Sequence, residues 1–183
     1  MSFSKEKNLV LCVLGFGSNR PHGGLSPEEI INSAALDFKE ILAESRLSPL
    51  YRTSPIHITD QEDFINAAVS GFFPLIQSES QPLYEGRSAL KLLEYTQKIE
   101  AKYGRNRNNE RRWGERSLDI DILLFGNLVI NYKELVIPHP RLKERAFALR
   151  PMLDLLPFAT EPDTGIHYRD IITGLPEQGI YPL

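Results

Sequence analysis

Residues 117–126, SLDIDILLFG, constrain the fold more than any other stretch of the chain. Side chains alternate across a β-strand, so residues two apart share a face. Leu118, Ile120, Ile122 and Leu124 then lie on one face, and Asp119, Asp121, Leu123 and Phe125 on the other. The second face continues as apolar, so it is not simply a solvated one. The two aspartates point the same way, roughly 6.6 Å apart by the strand rise. Carboxylates that close repel, and each raises the other's proton affinity unless a cation sits between them. A hard cation such as Mg²⁺ meets that need, held by one or two carboxylates together with substrate phosphates.

The approach to this strand is cationic. Arg105, Arg107, Arg111, Arg112 and Arg116 face only Glu110 and Glu115, a local charge of +3 in a chain of net charge −3. Arginine suits planar, bidentate grip of phosphate oxygens better than lysine does. Gly104 and Gly114 bracket the segment as hinge candidates. A solvated charge run is the plain alternative. Beside the aspartate pair, metal and arginines neutralise the same anion, and a polyphosphate, meaning a nucleotide, is the economical candidate. Phosphoryl chemistry needs positioning and charge neutralisation more than covalent catalysis. Neither a G-x-x-x-x-G-K-[ST] loop nor a kinase glycine loop with V-A-I-K is present.

The rest of the chain supplies a frame for that strand. LVLCVLGFGSN (9–19) reads as a buried strand feeding a loop. SPEEIINSAALDFKEILA (26–43) reads as one helix, with Ser26 as N-cap, Pro27 at the first helical position and Glu29 completing a capping box. LSPLYRTSPI (47–56) reads as a strand broken by prolines and FINAAVSGFF (64–73) as another strand. Residues 74–88 form a connection, 89–104 a second helix stopped by Gly104, and 127–138 a short strand pair. Residues 139–155 read as a loop entering a helix, and 167–175 as a closing helix. The order β-α-β-β-α-β with a C-terminal extension predicts an α+β, ferredoxin-like split βαβ sandwich. Its sheet is mainly antiparallel, with helices packed on one face, in a single domain over residues 1–183.

Composition excludes several classes. Net charge −3 argues against a general nucleic-acid or membrane-surface binder, so an anion site must be local. The lone Cys12 sits in an apolar run, permits no internal disulfide and fits a reducing, cytoplasmic setting. The run Leu9–Leu14 is too short to span a membrane. IPHPRLKER offers His139, Arg141, Lys143 and Arg145 as further phosphate-facing groups, although a histidine between prolines is often structural. Tyr51, Phe64 and Asn66 offer the aromatic faces and amide edge that a flat heteroaromatic ring requires. His22 and His167 read as loop residues without a role.

WGERSLDIDILLFGN, with YRTSP and DFINAAV upstream and IPHPRLKERAFALRPML downstream, resembles the 6-hydroxymethyl-7,8-dihydropterin pyrophosphokinase family of folate biosynthesis. The signals run in the family's order from GSN at 17–19 through PHPRLKERAF. The resemblance implies transfer of pyrophosphate from ATP to the pterin hydroxymethyl oxygen, with release of AMP. It implies that Asp119 and Asp121 hold two Mg²⁺ and that Arg105 and Arg116 are catalytic. Glu100, Arg107, Arg112, Trp113, Ile122, His139 and Arg145 match its ATP contacts, and Thr53, Phe64, Asn66 and Phe147 its pterin pocket. The substrates would be the small molecules ATP and the pterin alcohol, acting on a monomer with no nucleic-acid or membrane partner. Three departures stand out: a longer segment after residue 70, one extra residue between Gly104 and Trp113, and His57 where some members carry glycine.

Two other classes compete. A D-x-D strand with an upstream Gly-Ser also marks nucleotidyltransferases, but Gly17-Ser18 lies about a hundred residues before Asp119, where that motif keeps the pair local. A ferredoxin-like RNA-binding module would want exposed stacking aromatics and a basic surface. The strands here carry neither.

Overall fold

The computed structural model describes residues 9–55, 60–76, 84–106 and 114–183. Its elements are β1 (Leu9–Ser18), α1 (Pro27–Phe38), β2 (Ala43–Leu47), β3 (Tyr51–Thr53), β4 (Phe64–Pro74), α2 (Tyr84–Lys102), β5 (Asp119–Phe125), β6 (Ile130–Asn131), β7 (Val136–Ile137), α3 (Ala146–Leu155), α4 (Tyr168–Thr173) and β8 (Ile180–Pro182). A short 3-10 turn, Leu142–Glu144, leads into α3. The main sheet runs β5-β1-β4-β3-β8, with β2 also paired to β4, and every pairing is antiparallel. This is the ferredoxin-like strand order, with its fourth position shared between β2 and β3. Pro49 lies between those two short strands and cannot donate to the ladder, which divides the position in two.

Local chemistry sets the helix ends. Ser26 Oγ accepts from Glu29 N, and Glu29 Oε2 accepts from Ser26 N at 2.8 Å, which completes the capping box. The helix ends at Phe38 rather than at residue 43. Ile41 and Leu42 keep helical spacing but turn back on Phe38 O, and Leu42 remains in the core through that turn. The chain then enters β2, which helical periodicity had masked. Helix α2 begins five residues earlier than its apolar pattern, at Tyr84. It ends in a Schellman turn: Gly104 N donates to Ala101 O (3.1 Å), Arg105 N donates to Glu100 O (3.0 Å), and Gly104 has φ +83°. That turn fixes the backbone of Arg105. Gly104→Ala should therefore lower stability by about 1–2 kcal/mol through the left-handed backbone. The loss would read as a lower urea midpoint at unchanged slope. A Cβ there also collides with the His22 ring, so adding His22→Ala should relieve the clash but not the backbone cost.

Helices cover both faces of the sheet, not one. On the first face α1 and α2 bury Cys12, Leu14, Phe16, Ile65, Ala67, Val69, Ile120 and Ile122. On the second, the C-terminal extension supplies α3 and α4, which bury Val13, Ala68 and Leu123 against Leu149, Met152 and Tyr168. A bulge in β5, where Val13 pairs with Leu124 and Leu14 with Ile122, leaves Leu123 as the extra residue. Alternation flips beyond it. Phe125 turns to the first face, its ring 6.1 Å from that of Phe73, and Leu124 joins the second. This corrects the strict alternation expected for that strand. No helix among the described residues is long and apolar enough to cross a membrane.

Candidate active site

Helix α3 covers only part of the second sheet face. The remainder is open, and there β5, β1, β4 and β3 form the floor of a cleft of about 430 Å³. Gly17 pairs with Asp119 on one side and Asn66 on the other, and Gly15 pairs with Asp121 and Ala68. On this face β1 therefore presents Gly15 and Gly17, with no side chains, between the aspartates and Asn66. A Cβ on Gly17 would approach Asn66 Oδ1 to 3.2 Å, and one on Gly15 would press on Leu123 at 3.1 Å. The G-F-G alternation within a strand was the available signal for this open floor. Sequence reasoning missed it. Gly17→Val should raise the KM for the ring substrate about tenfold while leaving the nucleotide KM within about twofold, the pattern of weakened binding in one subsite. An equal rise in both would make the floor a general scaffold.

One end of the cleft is built from acids and arginines. Asp119 lies between Arg116 (Nη1–Oδ2 2.6 Å) and Arg105 (Nη1–Oδ1 3.1 Å). Asp121 faces Arg145 (Nη1–Oδ2 3.0 Å) and His139 (Nε2–Oδ2 3.6 Å). Burial, and then the neighbouring Asp119, push the Asp121 carboxyl above its ordinary range, against the pull of His139 and Arg145. Asp121 lies deep in the fold yet keeps 38% of its side-chain surface open to the cleft, so the push acts on a partly solvated carboxylate. Burial also lowers His139, outweighing the attraction of Asp121, which favours its neutral ring. Arg141 N donates to His139 Nδ1 at 3.1 Å, which leaves Nε2 as the protonated nitrogen turned toward Asp121.

Arg116 is held by its backbone. Asn19 and Arg20 donate to Arg116 O at 3.1 and 3.2 Å, and Arg116 N donates to Asn19 Oδ1 at 2.8 Å. Asn19, only 2% exposed, also donates to Glu62 O at 3.1 Å. It thus ties the end of β1 to the segments on either side of the cleft mouth. Its position at the end of GSN was visible in the sequence, but its long-range partners were not.

The other end is aromatic and amide-lined. Asn66 Nδ2 donates to Thr53 Oγ1 at 2.6 Å, and Phe64 and Phe147 line the same cleft. The Arg145 guanidinium stands 5.6 Å from the Phe147 ring centroid, where the two halves meet. Pro176, Glu177 and Gln178 close the wall from the C-terminal segment and were not anticipated.

Several expected residues fall elsewhere. Ile122 lies in the core beneath α1 and α2, because alternation turns it away from the aspartates. Glu100 stands behind the sheet: it is 1% exposed, and its Oε1 accepts from Ile120 N at 3.0 Å. Tyr51 donates to Asp154 Oδ2 at 2.5 Å and tethers β3 to α3 rather than lining the cleft. Lys143 pairs with Glu161 at 2.6 Å, away from the aspartates. Arg107, Arg111, Arg112, Trp113 and His57 lie outside the described residues.

Residues 13–157 match the family model described as 7,8-dihydro-6-hydroxymethylpterin-pyrophosphokinase (HPPK). The chain belongs to the HPPK family. It is 39% identical over 157 residues to the 2-amino-4-hydroxy-6-hydroxymethyldihydropteridine pyrophosphokinase of Pseudomonas aeruginosa, a match covering 84% of this chain and 87% of the relative. It is also 41% identical over 127 residues to the mitochondrial folate synthesis bifunctional protein of Arabidopsis thaliana, covering 69% of this chain. That match spans only 20% of the plant protein's length. Among solved structures, the wild-type Plasmodium falciparum HPPK-DHPS superposes with a TM-score of 0.62 at 14% identity, over 93% of this chain and 45% of that one. This last likeness supports the ferredoxin-like fold alone. The HPPK match takes in β5 and both halves of the cleft, leaving the segment after residue 157 outside it.

Proposed function

We propose that the cleft holds ATP and 6-hydroxymethyl-7,8-dihydropterin side by side. The protein transfers pyrophosphate from ATP to the pterin hydroxymethyl oxygen, giving AMP and the pterin diphosphate, a step of folate biosynthesis. The observation that carries this reading is the division of one cleft into an acid–arginine half and an aromatic–amide half, joined at Arg145 and Phe147. HPPK membership supports the choice of both substrates.

The donor set suits Mg²⁺. Asp119 and Asp121 offer hard carboxylate oxygens on one strand face, and among the described residues no group of three or more metal-capable side chains exists. On the family resemblance, the two carboxylates would hold two ions, with phosphate oxygens and water completing their coordination. Bound there, Mg²⁺ supplies charge neutralisation along the polyphosphate. Arg105 and Arg116, which pair with Asp119 here, would turn to phosphate oxygens when the nucleotide is bound. Arg145 and neutral His139 donate to the same oxygens. With its proton on Nε2, His139 acts as a donor and not as a base. The Asn66–Thr53 bond presents a fixed pattern to the pterin edge, and Phe64 and Phe147 cover the ring. Glu100 acts from behind by holding the backbone of β5. Arg107, Arg112 and Trp113 are assigned to the nucleotide on the family resemblance alone.

A monomeric working unit remains part of this reading. Both core clusters draw on residues from β1 onward, which supports reading 1–183 as one pyrophosphokinase domain. The single buried cysteine supports a cytoplasmic setting. The test is stoichiometry: ATP consumed by the purified protein should yield AMP and pterin diphosphate in equal amounts, and only when the pterin alcohol is present. ADP as product, or ATP turnover without pterin, would count against the assignment.

A further inference from the structure

The wall residue Gln178 has a geometry that the cleft chemistry described so far does not use. Its Oε1 accepts from Ala146 N at 2.9 Å, and its Nε2 donates to Glu144 O at 2.9 Å. These two groups belong to the peptide units on either side of Arg145. The Arg145 side chain makes no capping bond at the start of α3, so Gln178 satisfies a helix-end N–H that would otherwise be orphaned. A primary amide carries both donor and acceptor on one planar group, as this clasp requires. The clasp is itself anchored at both ends. Helix α4 precedes it, and after Gly179 (φ +57°) the chain enters β8, where Ile180 pairs with Thr53. Gln178 lies beyond the stretch that the family model matches.

We propose that Gln178 is a positioning residue for Arg145. By clamping the backbone at 144 and 146, it aims the Arg145 guanidinium at Asp121, and at the phosphates under the pyrophosphokinase reading on which the kinetic part of this inference rests. Arg145 has few other restraints on its direction: Asp121 on one side and the Phe147 ring on the other. A clasp at its own peptide groups converts a long side chain into a fixed donor.

The test is a double-mutant cycle read on kcat/KM for Mg²⁺-ATP at saturating pterin alcohol. Gln178→Ala should lower it about tenfold, since a displacement on the order of 1 Å at a reacting group costs up to about a hundredfold. Gln178→Glu keeps the acceptor and loses the donor. It should fall similarly, and it covers the case in which the alanine variant fails to fold. In an Arg145→Ala background, Gln178→Ala should cost no more than about twofold further, because residues that act through one another are not additive. A full tenfold loss in that background, or unchanged kinetics in Gln178→Ala, overturns the proposal and leaves a plain structural contact. If the wild type releases no AMP, the pyrophosphokinase reading fails on its own. A crystal structure of the Gln178→Ala variant then still decides the clasp: Arg145 displaced from Asp121 supports it, and Arg145 retained at its 3.0 Å contact overturns it.

Discussion

Replacing either Asp119 or Asp121 by asparagine should reduce turnover with Mg²⁺-ATP about a thousandfold, the scale of roughly 4 kcal/mol of lost transition-state stabilisation. The fold should survive. Both side chains face the cleft and neither contributes to an apolar cluster. The two variants should differ in stability. Asp119→Asn leaves Arg105 and Arg116 facing each other without the carboxylate between them, so it should lose more than Asp121→Asn. At Asp121 the substitution also removes a charge that burial and Asp119 already disfavour. Steady-state kinetics with a thermal melt of each variant would check both parts. Near-wild-type turnover in either one would remove the metal assignment.

Arg116→Ala should lower kcat about a hundredfold, less than the roughly thousandfold or more of a lone arginine that stabilises transferring phosphoryl charge, because Arg105 and Arg145 remain. Pterin affinity should change by less than about threefold, since the pterin half of the cleft is built on Asn66, Thr53 and the two phenylalanines. The backbone of residue 116 is anchored by Asn19 and Arg20, so truncation removes the guanidinium without moving the strand entrance. Lysine should not rescue, because a point charge cannot reproduce the planar fork. Stopped-flow turnover with a separate titration of the pterin alcohol distinguishes the outcomes. An equal loss in pterin binding would make Arg116 a structural residue.

What the sequence revealed followed the range of each interaction. The capping box joins Ser26 and Glu29, three positions apart, and it forms as read. The aspartate pair was legible because alternation is local, and it stayed so until the bulge at Leu123 reversed the faces beyond it. Strand β2 was hidden because Ile41 and Leu42 keep helical spacing while packing through a turn. Strand β8 has only three residues and ends on Pro182, so its identity comes from pairing with β3 and not from its own pattern.

The site divides in the same way. Arg116 and Asp119 are three residues apart, and the sequence set both in one local segment, the cationic approach to the aspartate strand. Arg145 reaches Asp121 across 24 residues; the sequence offered Arg145 as a phosphate-facing group but not its pairing with Asp121. The same resemblance assigns Glu100 and Ile122 to the nucleotide, yet their side chains lie on the far side of β5 or within the core. Tyr51 has the composition of a ring-binding residue and the position of a tether.

The most direct test follows the β-phosphorus. With ATP radiolabelled at the β-phosphorus and the pterin alcohol present, the account predicts that the label leaves the nucleotide and appears in the pterin diphosphate as AMP forms. Label retained on the nucleotide, with ADP as the product, would contradict it.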